Sequence, residues 1–97
     1  MLAALRRRSM QKSLKSTEYA RFIAILVAMR KDAGVRQQAL AKKLGRPQSF
    51  VAKYEGGERR IDVLEFIAIV RALGANPSKV FRDFLAGKEA PTKRSGR

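Results

Sequence analysis

Apolar residues recur at helical spacing through most of the chain. Tyr19, Phe22, Ile23 and Leu26 lie on one side of a helix, together with Met29 or Arg30, and predict a first helix from about Glu18 to Ala33. Gly34 stands where a left-handed cap would end it. Ala39, Leu40 and Leu44 then share a face in a second, shorter segment, and Val51 with Tyr54 repeat the pattern after Gly45. Gly45 supplies the backbone freedom of a tight turn, and Pro47 suits the first turn of a new helix, where its missing N–H would lack an intrahelical partner anyway. A fourth helix has the clearest start. Asp62 and Glu65 have the spacing of a capping box, flanked by Ile61 and Phe66 as a hydrophobic staple, and the helix should run to Leu73 and stop at Gly74. Asn76 and Pro77 cap and open a fifth helix, with Val80, Phe81, Phe84 and Leu85 at helical spacing and Gly87 closing the fold. No useful strand-like alternation occurs, and no apolar run approaches the roughly 20 residues of a membrane span. The expected class is all-α with five helices.

The second and third helices, joined by the Gly45 turn, form a helix-turn-helix, an arrangement that points to double-stranded DNA. On the third helix Gln48, Ser49, Ala52 and Lys53 lie away from Val51 and Tyr54. They are small or polar and carry the hydrogen-bonding capacity needed to read base edges. Gln48 can donate and accept together, matching the two groups adenine shows in the major groove. Ser49 is smaller and less selective, with a phosphate or water contact as its alternative. Lys53, one turn later, could reach guanine or a phosphate, or remain solvated. Gln48, Ser49 and Lys53 are the candidate base contacts.

The charge of the chain agrees. Its 97 residues carry a net +14, about +5 over residues 1–16, +6 over 17–86 and +3 over 87–97, so even the folded part is basic and favours a polyanion. That length predicts one small domain with little room for a second, so no separate ligand-sensing domain is expected. Absence of cysteine and histidine excludes disulfides and the usual zinc sites, and removes the commonest nucleophiles and bases. No enzyme activity, cofactor or metal is expected. Gln37, opening the second helix, can offer its amide to a phosphate where the helix dipole favours an anion. Arg36, Arg46, Arg59 and Arg60 flank the motif in loops and are candidate phosphate contacts, while Lys42 and Lys43 read as a solvated face. Phe50 has three readings of equal weight: a thymine methyl contact, a subunit contact, or partial core.

From Tyr19 to Leu85 the chain resembles the Cro/C1-type helix-turn-helix family of phage and bacterial repressors, the XRE family. The resemblance rests on Gln37, on Leu40-Ala41 to Leu44-Gly45, on Val51, and on Glu55 with Gly57 closing the third helix. Arg36 departs from the usual Thr or Ser cap, and Pro47 stands where Ser or Thr is common. The resemblance implies a five-helix lambda-repressor-like DNA-binding domain over residues 17–86. It implies that Gln37 braces Gln48, and that Arg30 and Glu55 form a structural ion pair between the first helix and the end of the third. A regulator of this kind binds an inverted repeat as a homodimer, at least on DNA, with half-sites about 34 Å apart. Phe81, Phe84 and Leu85 are the candidate dimer interface, with simple core packing as the alternative. Repression by occupancy is the family expectation, in the bacterial cytoplasm; antitoxins and restriction controllers share the fold.

Residues 1–16, with Arg6, Arg7, Arg8, Lys12 and Lys15 and no acid, read as a basic arm on DNA, against the alternatives of a targeting peptide or a solvated tail. Residues 87–97 have too little apolar content to pack and read as a loose basic tail. The alternative function is a protein-interaction module on the same fold, binding an activator or toxin as a partner protein. The outward Gln48, Ser49 and Lys53 argue against it, since such a module has little use for them.

Overall fold

The computed structural model describes residues 16–88, which form five helices: α1 (Thr17–Asp32), α2 (Gln37–Leu44), α3 (Gln48–Glu55), α4 (Val63–Ala72) and α5 (Pro77–Leu85). The expected basic arm and tail lie almost wholly outside these residues.

Each helix begins where local chemistry satisfies, or leaves open, its first amides. The Ser16 hydroxyl caps α1 by accepting from the Tyr19 N–H at 3.0 Å. Asp62 accepts from the Glu65 N–H at 2.7 Å while Glu65 accepts from the Asp62 N–H at 3.0 Å, completing the capping box of α4. Asn76 accepts from the Ser78 and Lys79 amides, with Pro77 in the first turn of α5. The two helices of the motif differ: neither Arg36 before α2 nor Pro47 before α3 supplies a side-chain cap. Pro47 sits one residue earlier than expected, at the extended cap position (ψ 153°) rather than in the first turn. Gly45 adopts φ 68°, a conformation in which a side chain would be strained, and this lets α3 leave α2 at once.

Leu26, Leu40, Val51, Tyr54, Ile69 and Val70 are the fully buried centre, drawn from the first four helices. α2 packs against α3 and α4, α1 against α3, and α4 against α5. Two inward positions differ from the sequence pattern. Ala41 is buried and Ala39 exposed. Neighbouring helix positions turn by about 100°, and the buried arc of α2 runs from Leu40 through Ala41, half-burying Leu44. Ile25 is also buried, outside the stripe expected for α1, because the α4–α5 turn and α5 cover that flank: Ile25 and Met29 line one hollow with Ala75 and Val80. α1 is therefore packed on two sides, which a single-stripe reading cannot anticipate.

α5 contributes no fully buried residue. Phe84 turns inward, its ring 5.2 Å from that of Phe22 with the Arg21 guanidinium 4.3 Å from its centroid. Arg21 also donates to the Phe84 carbonyl at 2.9 Å and the Lys88 carbonyl at 3.2 Å, clasping the end of α5 to α1. Phe81 stays 45% exposed and Leu85 67% exposed, so the three expected interface residues divide into one inward anchor and two outward side chains.

Candidate nucleic-acid interface

α3 is eight residues long and two-sided. Phe50, Val51 and Tyr54 are buried in the core, while Gln48, Ser49, Ala52 and Lys53 are exposed together on the other side. Burial of one stripe fixes the rotation of the helix about its axis, and that rotation alone presents the polar set to solvent. Of the three readings of Phe50, packing in the core is the one realised. Its ring meets Tyr54 edge-on at 5.4 Å and is only 7% exposed.

At the end of α3 lies a buried ionic junction. The Arg30 guanidinium donates through Nε to Glu55 Oε2 at 2.7 Å and through Nη2 to Glu55 Oε1 at 3.0 Å, a bidentate fork. Its Nη1 donates to the Val35 carbonyl at 2.8 Å, tying in the α1–α2 loop. The two side chains are 10% and 7% exposed, and the hydrogen bond to Glu55 raises the Arg30 pKa further above its ordinary value. The expected pairing of Arg30 with Glu55 is thus present. Gln37 joins it: its amide nitrogen donates to Glu55 Oε1 at 2.8 Å. The brace expected from Gln37 to Gln48 therefore gives way to one aimed at the other end of α3, because the Glu55 carboxylate is a charged acceptor held close by Arg30. Next to this junction the Tyr54 hydroxyl is buried and finds no hydrogen-bond partner among the described residues; burial, with the Glu55 charge adding to it, pushes its pKa well up.

The loop arginines form a second ionic cluster, nearer solvent. Arg46 precedes α3 and Arg59 follows it, yet both reach Glu65 on α4. Arg46 Nη2 donates to Glu65 Oε2 at 3.1 Å, and Arg59 donates from Nη1 to Oε1 and from Nη2 to Oε2, each at 3.0 Å. Both guanidiniums also lie over the Phe50 ring, 4.3 and 4.9 Å from its centroid. Hydrogen bonds from Arg59, the Asp62 amide and Arg46 hold the Glu65 carboxyl at about 2, down from an ordinary 4.5. Arg60 is directed elsewhere, with its guanidinium 4.1 Å from the Tyr19 ring centroid, while the Tyr19 hydroxyl accepts from the Ile61 N–H at 3.3 Å. Arg36 is exposed at the uncapped start of α2.

Sequence reasoning assigned Glu65 to the capping box alone and missed its hold on Arg46 and Arg59. A carboxylate whose neighbours in sequence include Asp62 and Arg59 gives a weak signal of this, since the loop path that returns Arg46 to it is set by the packing of α2 on α4.

Among the described residues no His, Cys, Asp and Glu side chains converge as a metal site would require, and no helix is long and apolar enough to cross a membrane.

A solvent-facing polar stripe on the second helix of a glycine-turn pair, ringed by loop arginines, defines a helix-turn-helix of the DNA-binding kind. The chain matches the helix-turn-helix domain family over residues 2–80. It is also similar to the solved structure of an XRE-family like protein from Pseudomonas syringae pv. tomato str. DC3000, with 38% identity and a TM-score of 0.74, over 80% of this chain and 95% of that one. No curated protein matches it. The chain belongs to the XRE-type helix-turn-helix family of DNA-binding regulators.

Proposed function

We propose that the protein is a sequence-specific transcriptional repressor that inserts α3 into the major groove of an inverted-repeat operator and blocks polymerase by occupancy. The exposure of Gln48, Ser49 and Lys53 on one side of a helix whose other side is locked into the core carries this reading. Gln48 reads a base, Ser49 a base or a bridging water, and Lys53 a guanine or the adjoining phosphate. Two or three of Arg36, Arg46, Arg59 and Arg60 set the register on the backbone, with no sequence information of their own. Gln37 keeps one amide hydrogen beyond its bond to Glu55, and the uncapped first turn of α2 offers further N–H groups to a phosphate. Residues 17–86 are the DNA-binding unit, and the basic segment of residues 1–16 adds backbone contacts.

A homodimer fits the two-fold symmetry of such an operator. Phe81 and Leu85, exposed on α5, are its contact, with Phe84 holding α5 in place from behind. The protein would act in the cytoplasm, on the nucleoid.

Enrichment from a random duplex library at about 150 mM salt, where charge-only binding is weakened, tests this directly. An inverted repeat with half-sites about one helical turn apart is the expected result. On the recovered site Gln48→Ala should cost about 1 to 3 kcal/mol and relax preference at one base position. Equal losses on every sequence would remove Gln48 from base readout, and the absence of any enriched motif would shift the reading to a partner-protein module.

A further inference from the structure

Glu65 poses a problem for a DNA-binding face, because it is an acid placed among the very arginines expected to hold phosphates. Elementary electrostatics makes it a liability, repelling the backbone and neutralising one of two cations. The local geometry argues for a different role. The Glu65 side chain is only 12% exposed, whereas Arg46 and Arg59 are each 41% exposed, so the acid forms the inner wall and the cations the outer lip. Phe50, locked edge-on against Tyr54, is the floor on which both guanidiniums rest. Two like charges over one ring would separate without the carboxylate between them. With it, Arg46, Arg59 and Glu65 together carry +1, offset by Asp62, whose charge also acts on Arg59, and the cluster keeps unused donors: Arg46 commits Nη2 alone, leaving Nε and Nη1 without hydrogen-bond partners among the described residues. Arg59 is held more firmly, by the bidentate fork and by a bond from Nη1 to the Arg60 carbonyl at 3.0 Å.

We propose that Arg46 and Arg59, laid over Phe50 and fixed by Glu65, form a preassembled seat for one DNA phosphate, and that Glu65 is its positioning residue. This rests on the DNA-binding reading above and adds a site to it. Free arginines on a surface must give up rotamer freedom when they engage a phosphate; here that ordering is done in the folded protein. The opposing effect, repulsion of the phosphate by Glu65, acts well within the Debye length of about 8 to 10 Å and is little screened by salt, so the seat requires the gain from ordering two arginines to exceed it. The counterintuitive consequence is that removing a negative charge from a DNA-binding face weakens binding.

The test uses the full chain and a mixed-sequence duplex, with affinities measured beside the melting temperature of every variant. Glu65→Gln is the informative change, because glutamine at this position can still complete the capping box while the charge is lost. It should weaken binding about three- to tenfold on any sequence, as expected when one or two long side chains must be ordered anew. In a background of Arg46→Ala with Arg59→Ala, the same substitution should cost nothing. In the free protein, the Nε–H groups of Arg46 and Arg59 should become more mobile by nitrogen-15 relaxation when Glu65 is Gln. Unchanged or tighter binding by Glu65→Gln would overturn the proposal, leaving Glu65 as a competitor of the phosphate. A loss that persists without the two arginines would also overturn it, assigning the effect to the helix cap. If the arginine double variant binds as well as the parent, the seat is wrong while DNA binding stands. Failure of the parent chain to bind duplex at all would sink the underlying reading itself.

Discussion

Two arginine–glutamate clusters border α3, one over Phe50 in its first turn and one at Glu55 at its end, with the same chemistry and different burial. At Arg30–Glu55 both side chains are about nine-tenths buried, and every contact runs to another part of the fold: α1, the α1–α2 loop, α2 and α3. At Arg46–Arg59–Glu65 the acid is partly buried and the cations reach solvent. The difference lies in what each charge can do next. A buried pair has exchanged water for its partner and cannot release it without leaving an uncompensated ion, so it fixes the angle at which α3 leaves the body of the domain. A half-exposed guanidinium keeps donors for an external anion and carries little of the stability, since exposed ion pairs contribute about 0 to 1 kcal/mol. Burial, rather than residue type, separates a pair shut into the fold from one with donors left facing solvent.

Breaking the buried cluster should give the largest effect. Arg30→Ala or Glu55→Gln is expected to cost about 3 to 5 kcal/mol, seen as a fall in melting temperature, because the remaining partner is stranded in the core. A Glu55→Gln protein with the parent melting temperature would erase the contrast between the clusters. The exposed cluster should behave oppositely. Arg59→Ala should lower the melting temperature little, weaken all duplexes alike and make the dependence of affinity on salt shallower by about one unit. An unchanged slope would take Arg59 off the phosphate backbone.

Acid sharpens the comparison. The Glu65 carboxyl is held at about 2 against an ordinary 4.5, so the stabilisation it provides is complete above pH 4.5 and is lost as pH falls from there towards 2. The stability difference between parent and Glu65→Gln, followed by denaturant titration, should be constant above pH 5 and shrink through that window. A difference that stayed flat down to pH 2 would mean that Glu65 gains nothing from its arginines. Smallest of all is Tyr54→Phe beside the buried cluster. Its hydroxyl has no partner among the described residues, so its removal should change stability by less than about 1 kcal/mol, or raise it. A loss well above that would show that the hydroxyl is paired after all.

Much of this protein follows from local rules that a linear chain states openly. Five helices, their caps at Asp62 and Asn76, the Gly45 turn and the outward set at Gln48, Ser49 and Lys53 all depend on neighbours within about one turn, where periodicity and capping chemistry act. The Arg30–Glu55 pair was legible only through family resemblance, because a 25-residue separation carries no local signal. Other features depended on how the helices stack. Ala41 rather than Ala39 turned inward, Ile25 gained cover from α5, and Gln37 braced Glu55 instead of Gln48. Arg46 and Arg59, thirteen positions apart, met at one carboxylate on a third element. Periodicity gives the direction of a helix face but not which neighbour covers its flanks. Charge composition gives the number of cations but not which acid each finds. The chain by itself determined the helices and the exposed polar face of α3; the packing of α2 and α3 on α4 decided which charges are shut into the domain and which keep solvent-facing donors.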